Sequence, residues 1–203
     1  MRVDILSTNG SSTGRSIELP KEIFEAEISE HSVYLAVKQY LAAQRQGTHK
    51  AKEKAEVNKS TRKIKRQKGT GTARAGSMKN PLFKGGGRMF GPRPRNYGFK
   101  LNKKVKAVAK VSALTSLAQE GCIKVIEDFS FDQPKTKDFV KIVNSINTDG
   151  GKTLIVTAGL EKNVYLSSRN LQNANVTEVK DLNIYQILNS KNVIFSESSL
   201  AKL

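Results

Sequence analysis

The sequence predicts an α/β fold: a mostly parallel sheet with helices on both faces, interrupted by one long extended basic loop. Three observations predict it. From Cys122 onward, short β-prone runs alternate with helical periods, the pattern of right-handed βαβ crossovers. Thr153-Leu-Ile-Val-Thr157 is uninterrupted, as expected for a strand covered on both faces. Between Arg45 and Asn102 no apolar repeat occurs that could build a core, although both flanks are helical.

Taken in order, Val3-Asp-Ile-Leu6 predicts a short strand. Asn9-Gly-Ser-Ser-Thr-Gly14 predicts a turn, and Ser16-Ile-Glu-Leu19 a returning extended piece before Pro20. Ser29 to Ala43 reads as a helix, with Val33, Val37, Tyr40 and Leu41 on one apolar stripe. Order resumes at Lys103, where Val105, Val108, Ala109, Val111, Leu114, Leu117 and Ala118 predict a helix stopped near Gly121. Cys122 to Ile126 reads as a strand. Pro134-Lys-Thr-Lys-Asp138 opens a helix with Phe139, Ile142, Val143 and Ile146 at i, i+3, i+4 and i+7, ended by Asp149-Gly-Gly151. A short helix over Asn163–Leu171, a strand over Val176–Val179, a helix over Ile184–Leu188 and a last strand over Asn192–Phe195 complete the pattern. Residues 1–44 and 103–203 are therefore expected to form one α/β domain, and 45–102 a long loop inserted in it.

The charge is concentrated in that insertion. From Arg45 to Lys106 there are 20 Lys/Arg against two acids, Glu53 and Glu56, a net +18 in a chain of net +17. The other residues therefore sum to −1. Eight of the 15 glycines lie between Gly69 and Gly98. Such a segment buries too little apolar surface to offset its ordering entropy, so it is expected to be extended or disordered alone and ordered by a partner. A basic balance of this size calls for a polyanion, nucleic acid before an anionic membrane. No apolar run approaches the ~20 residues needed to cross a bilayer, and no signal peptide opens the chain. The expectation is a soluble protein of the cytoplasm.

Catalytic and cofactor patterns are poor. Gly69-Thr-Gly71 starts a dinucleotide fingerprint, but Arg74 stands where the third glycine belongs, and no strand precedes it. Gly151-Lys-Thr153 resembles the end of a phosphate-binding loop, but it leads into a strand and is read as a helix-to-strand turn. His31 and His49 lie on different elements with no ligand pattern beside them. The single Cys122 excludes an intramolecular disulfide and is read as a small apolar residue beside a strand. Glu127, Asp128 and Asp132 read as loop acids. No catalytic residue, metal ligand or cofactor site is assigned, and the chain is expected not to be an enzyme.

The insertion has a positive chemical reading. Lys and Arg contact phosphates, and guanidinium planes also pair and stack with bases. Glycines let the backbone approach folded nucleic acid closely. Phe83, Phe90, Tyr97 and Phe99, interleaved with cations, suit stacking on splayed bases. The candidate RNA-binding residues are Arg62, Lys63, Lys65, Arg66, Lys68, Arg74, Lys79, Lys84, Arg88, Arg93 and Arg95. RNA is favoured over DNA because no DNA-reading helix is evident and an extended loop fits the cavities of folded RNA.

At Arg66-Gln-Lys-Gly-Thr-Gly-Thr-Ala-Arg-Ala-Gly76 the sequence resembles the bacterial large-subunit ribosomal protein four family. Arg45-Gln-Gly-Thr-His-Lys50, Lys79-Asn-Pro81, Gly85-Gly-Gly87, Gly91-Pro-Arg-Pro-Arg95, Asn102-Lys-Lys104, Pro134-Lys-Thr-Lys137 and Ala174-Asn-Val-Thr177 extend the likeness over essentially the whole chain. The resemblance implies a structural constituent of the large subunit whose long loop threads 23S rRNA. It further implies a loop tip at the constriction of the nascent-peptide exit tunnel, beside large-subunit protein twenty-two, and an early role in assembly. Arg66, Gln67, Lys68, Gly69, Thr70 and Gly71 would form that tip, and Arg74, Arg88, Arg93 and Arg95 would anchor the arms. Two positions depart from the family's usual residues: Lys65 replaces a frequent Trp, and Thr72 a frequent Arg. Two other readings stand beside this one, an RNA-modifying enzyme with a clamping loop and a DNA-compacting protein.

Overall fold

The computed structural model describes residues 1–147 and 150–203. The expected helix end at Asp149 lies outside the described residues. The chain divides into two compact units, Met1–Leu41 with Lys100–Leu203, and Ala42–Phe99. The first is an α/β unit.

Its elements in order are β1 (Arg2–Leu6), β2 (Ser12–Glu18), α1 (Lys21–Phe24), α2 (Glu30–Ala43), α3 (Lys103–Gln119), β3 (Ile123–Ile126), α4 (Thr136–Ile146), β4 (Thr153–Thr157), α5 (Lys162–Ser168), β5 (Ala174–Glu178), α6 (Ile184–Asn189), β6 (Asn192–Ser196) and α7 (Glu197–Leu200). The six strands form one sheet in the order β2-β1-β3-β6-β4-β5. Only the β1–β2 pair is antiparallel, with Val3 opposite Ile17, as a short turn between neighbouring strands requires. The other pairs are parallel: Ile5 with Val125, Val125 with Phe195, Ile155 with Ile194, and Ile155 with Val176.

Alternation along the strands sends side chains to two apolar layers. On one face Val125, Leu154, Val156, Val193 and Phe195 pack with Leu19, Phe24, Leu114, Leu117, Ile187 and Leu200. On the other, Ile126, Ile155 and Ile194 pack with Phe139, Ile146 and Val164. Helices thus cover both faces of a mostly parallel sheet, and β4 and β6 are buried at every position. The α4 stripe behaves as its spacing predicts, with Phe139 and Ile146 buried and Ile142 and Val143 packed against the same layer.

Helix α3 ends in a Schellman motif. Gly121 (φ +70°) turns the chain, its N–H bonds the Ala118 carbonyl at 3.1 Å, and the Cys122 N–H bonds the Leu117 carbonyl at 3.0 Å. Cys122 is half-buried against the first layer.

Some elements differ from the expected ones. Helices α1 and α7, four residues each, show no periodicity that a sequence pattern could reveal. Phe24 of α1 nevertheless fills the core, edge-to-face with Phe195 at 6.1 Å. Helix α5 stops at Ser168, three residues early, where Leu171 N–H turns back to the Ser168 carbonyl. The α2 stripe is only half covered: Val33, Val37 and Tyr40 are half-buried and Leu41 is exposed, and the helix's one buried residue, Ala36, lies outside the expected stripe. Tyr40 stacks on Tyr185 at 5.0 Å, so an aromatic pair fills space that aliphatic packing would otherwise take.

Candidate nucleic-acid interface

The Ala42–Phe99 unit has almost no regular secondary structure, yet its two arms are held together by backbone hydrogen bonds. Arg95 N–H bonds the Gly47 carbonyl at 3.2 Å, Ala51 N–H the Pro92 carbonyl at 3.0 Å and Arg88 N–H the Lys52 carbonyl at 2.9 Å. Further along, Lys59 Nζ bonds the Lys84 carbonyl at 2.9 Å. An antiparallel bridge joins Lys63 to Ser77, and Ile64 N–H reaches the Gly76 carbonyl at 3.0 Å.

Glycine permits the close approaches. Gly47 sits at φ +63°, and a Cβ there would lie 2.0 Å from the Arg95 carbonyl oxygen. Gly87 is buried against the backbone of Glu53 and Lys54. A knot of turns follows Lys79: Phe83 N–H bonds the Asn80 carbonyl, Gly86 N–H the Phe83 carbonyl, and Gly87 N–H the Lys79 carbonyl, all within 3.0 Å.

Beside Gly47, the Tyr97 ring is flanked by the Arg45 guanidinium at 3.8 Å and that of Arg95 at 4.7 Å from its centroid. The Tyr97 hydroxyl shares a 2.9 Å hydrogen bond with His49 Nε2. This cluster joins residues fifty positions apart in sequence.

Sixteen Lys/Arg and two acids lie in the unit. Both acids are taken. Arg93 pairs with Glu53 at 2.6 Å, and Lys50 pairs with Glu56. The Lys50 hydrogen bond holds the Glu56 carboxyl below the usual carboxylate range, helped by the Glu53 backbone N–H. The remaining fourteen cations have no acidic partner among the described residues. Like charges at this density repel, so the arrangement invites a polyanion.

Of the candidate residues, Arg62, Lys63, Lys65, Arg66, Lys68, Arg74, Lys84, Arg88, Arg93 and Arg95 are exposed, and Lys79 is half-buried. Every residue from Thr61 to Arg74 is exposed, which includes the six expected at the tip. Gly69 (φ +79°) and Gly71 (φ +61°) make the reversal there, a conformation that L side chains avoid. Across it Lys65 Nζ donates to Thr72 Oγ1 at 2.7 Å, and within the incoming arm Lys63 Nζ donates to Gln67 Oε1. The two departures from the resembled family therefore touch one another. Arg93 and Arg95 are partly committed within the unit, to Glu53 and Tyr97.

Residues outside the RNA-binding candidates complete the surface. Arg45 and His49 flank Tyr97, Lys59 ties the arms, and Leu82 and Met89 are 88% and 67% exposed. The paired register of Gly47 with Arg95 was the missing signal, and no motif announces it.

In the α/β unit several acids are tied into the fold. Arg15 bridges Glu127 at 3.1 Å and Glu197 at 3.4 Å, and Asp128 accepts from Ser198 N and Oγ, so these acids fasten α7 to the sheet. His31 is exposed and stacks on Tyr34. Among the described residues no group of His, Cys, Asp or Glu could hold a metal ion. Among them, too, no helix is long and apolar enough to cross a membrane. A cleft of about 260 Å³ beside Val143, Asn147 and Leu171 is lined by no titratable side chain.

A family model described as the Ribosomal protein L4/L1 family matches residues 17–203. The chain is 58% identical to the large ribosomal subunit protein uL4 of Christiangramia forsetii over 200 residues, 98% of this chain and 96% of that one. It is 52% identical to the protein of that name from Amoebophilus asiaticus, over all of this chain and 97% of the relative. The Bacteroides fragilis relative of the same name is 51% identical over 98% of this chain and 96% of its own length. Matched by the family model from residue 17 to the last, and by these relatives over at least 200 of its 203 residues, the chain belongs to the Ribosomal protein L4/L1 family.

Proposed function

We propose that the chain is a structural constituent of the large ribosomal subunit and not an enzyme, a cytoplasmic protein that assembles with rRNA and other large-subunit proteins. Its organisation is one α/β domain, 1–44 with 103–203, carrying an RNA-binding insertion over 45–102. The insertion binds 23S rRNA through Arg62, Lys63, Lys65, Arg66, Lys68, Arg74, Lys79, Lys84, Arg88, Arg93 and Arg95. The segment Arg66–Gly71 is the end that reaches the exit-tunnel constriction, beside large-subunit protein twenty-two, and the protein joins the subunit early. The observation that carries this reading is the set of fourteen cations without acidic partners among the described residues, in one unit of a ribosomal-family chain whose arms are joined by backbone hydrogen bonds.

The mechanism is electrostatic and steric. Each phosphate neutralised releases condensed counterions, so affinity falls as salt rises, with a slope set by the number of phosphates contacted. Guanidiniums add bidentate and stacking contacts that ammonium groups do not make. Sedimentation of cell lysate through a sucrose gradient at rising salt tests the reading. The expected result is persistence in the large-subunit peak, because many contacts are made at once. Release into the light fractions would overturn it and favour a factor that only visits RNA. Binding of duplex DNA as tightly as rRNA would favour the DNA-compacting alternative.

A further inference from the structure

We propose that Phe90, with Met89 beside it, is a stacking platform for unpaired RNA bases. The proposal deepens the RNA-binding reading above and rests on it. Phe90 is 97% exposed, the most exposed large apolar side chain among the described residues, and Leu82 and Met89 follow it in the basic unit. Surface apolar residues scattered singly need no explanation, but here three large ones fall within nine positions of one basic segment.

The backbone beneath them is fixed. Gly87 is buried against Glu53 and Lys54, Arg88 N–H is bonded to the Lys52 carbonyl, and a Cβ on Gly91 would stand 2.4 Å from the Ala51 Cβ. These contacts bracket Phe90 on both sides in sequence, and its ring stands in solvent. The open cleft beside it, about 620 Å³, is lined by Pro81, Phe83, Arg88, Met89, Phe90 and Pro92. Its apolar walls carry a guanidinium, the combination that accepts a base plane and its phosphate together.

Charge selects the occupant. No Asp or Glu occurs from Val57 to Gln119, so the platform lies in a segment of one sign. A protein partner covering Met89 and Phe90 there would have to be strongly acidic. RNA supplies π faces and phosphates in the same molecule. The aromatic residues are not equivalent in this respect. Tyr97, one of the three other aromatics named for stacking beside cations, already has Arg45 and Arg95 against its ring and His49 on its hydroxyl. Tyr97 therefore serves the unit's own closure, and Phe90 faces outward.

The chain contains no tryptophan, so Phe90→Trp in the full-length protein installs a single reporter at a site where exposure makes misfolding a minor concern. The probes are purified 23S rRNA and a fully paired RNA duplex. The expected result is strong quenching of the indole, with loss of acrylamide access, when 23S rRNA binds, and little change when the duplex binds. Phe90→Ala should weaken 23S rRNA binding roughly tenfold, within the range for loss of one stacked base, while the salt slope stays unchanged because no phosphate contact is removed. Phe90→Leu, which keeps apolar bulk without a π face, should lose nearly as much.

An indole that stays quencher-accessible while rRNA is bound would overturn the platform and leave RNA binding standing. So would unchanged affinity in Phe90→Ala. A blue shift without quenching would mean that the ring is buried away from the bases, and would likewise overturn stacking. Failure of the parent protein to bind 23S rRNA would overturn the functional reading itself.

Discussion

Replacing Gly87 by alanine puts a methyl carbon 2.4 Å from the Lys54 nitrogen, 2.5 Å from the Lys54 Cα and 2.7 Å from the Glu53 carbonyl carbon. All three are main-chain atoms of the opposite arm, so no side chain can swing away. Gly87 is outside the left-handed region, so the strain is one of contact alone. Relief requires the arms to part by about 1 Å, a van der Waals overlap of that order being what the distances imply. Parting them breaks the 2.9 Å bond from Arg88 N–H to the Lys52 carbonyl. Overpacking of this kind costs about 1–3 kcal/mol and the lost hydrogen bond about 1 kcal/mol. Taking about 2 kcal/mol as the lower end, the Arg88 amide should exchange with solvent roughly thirtyfold faster. Gly76→Ala is the matched control, since nothing lies within 4 Å of its added methyl and its φ is ordinary. Hydrogen exchange read by NMR or mass spectrometry compares the two. Equal protection of Arg88 in both variants, or no protection in the parent, would refute the idea that this contact closes the arms.

Three other outcomes are expected. Gly47→Ala combines a left-handed φ of +63° with a 2.0 Å contact to the Arg95 carbonyl, so it should cost about 2 kcal/mol or more and speed tryptic cleavage after Arg45 and Arg95. Phe139→Ala empties the centre of the second apolar layer, where Phe139 is fully buried. About 3–5 kcal/mol should be lost, and calorimetry should show a melting point roughly 10 °C lower. Burial pushes the Lys110 ammonium below the usual lysine range, so the unfolded chain binds that proton more tightly than the folded one. Stability of the parent should therefore rise as pH climbs from the depressed value towards the ordinary one. Lys110→Met should raise the melting temperature at neutral pH, and the gap over the parent should narrow as the pH enters the lysine range; a constant gap would show that burial of this charge is not the cause.

The α/β unit was legible where side-chain pattern decides the outcome. Thr153–Thr157 and Asn192–Ser196 are apolar or β-branched enough to be strands under any packing, and the α4 stripe could face only a core. Pattern failed where a single contact decides. Four residues of α1 carry no period, and Phe24 reaches the core because Pro20 starts the turn that carries it. Leu41 extends a regular stripe and is exposed nonetheless, because periodicity reports that a face is apolar and not whether anything covers it. For the basic unit the charge was plain and the register was not. The register depends on where Gly47, Gly87 and Gly91 let one main chain lie on another, and on Arg45 meeting Tyr97 across half a hundred residues. Glycine contributes no hydrophobic signal, so nothing in composition ties its position to a distant neighbour.

The parallel pairing of β1 with β3 sets an order on synthesis. Ile5 finds its partner Val125 only after 120 further residues have been translated, and the whole basic unit lies between them. At ~5–20 residues per second that interval is roughly 6–24 s. During it the β1–β2 hairpin has no third strand, and a two-stranded hairpin is marginal alone. The strongly cationic segment thus emerges before the sheet that will carry it can close. Nascent chains meet polyanions in that window with their charge already displayed and their core still incomplete.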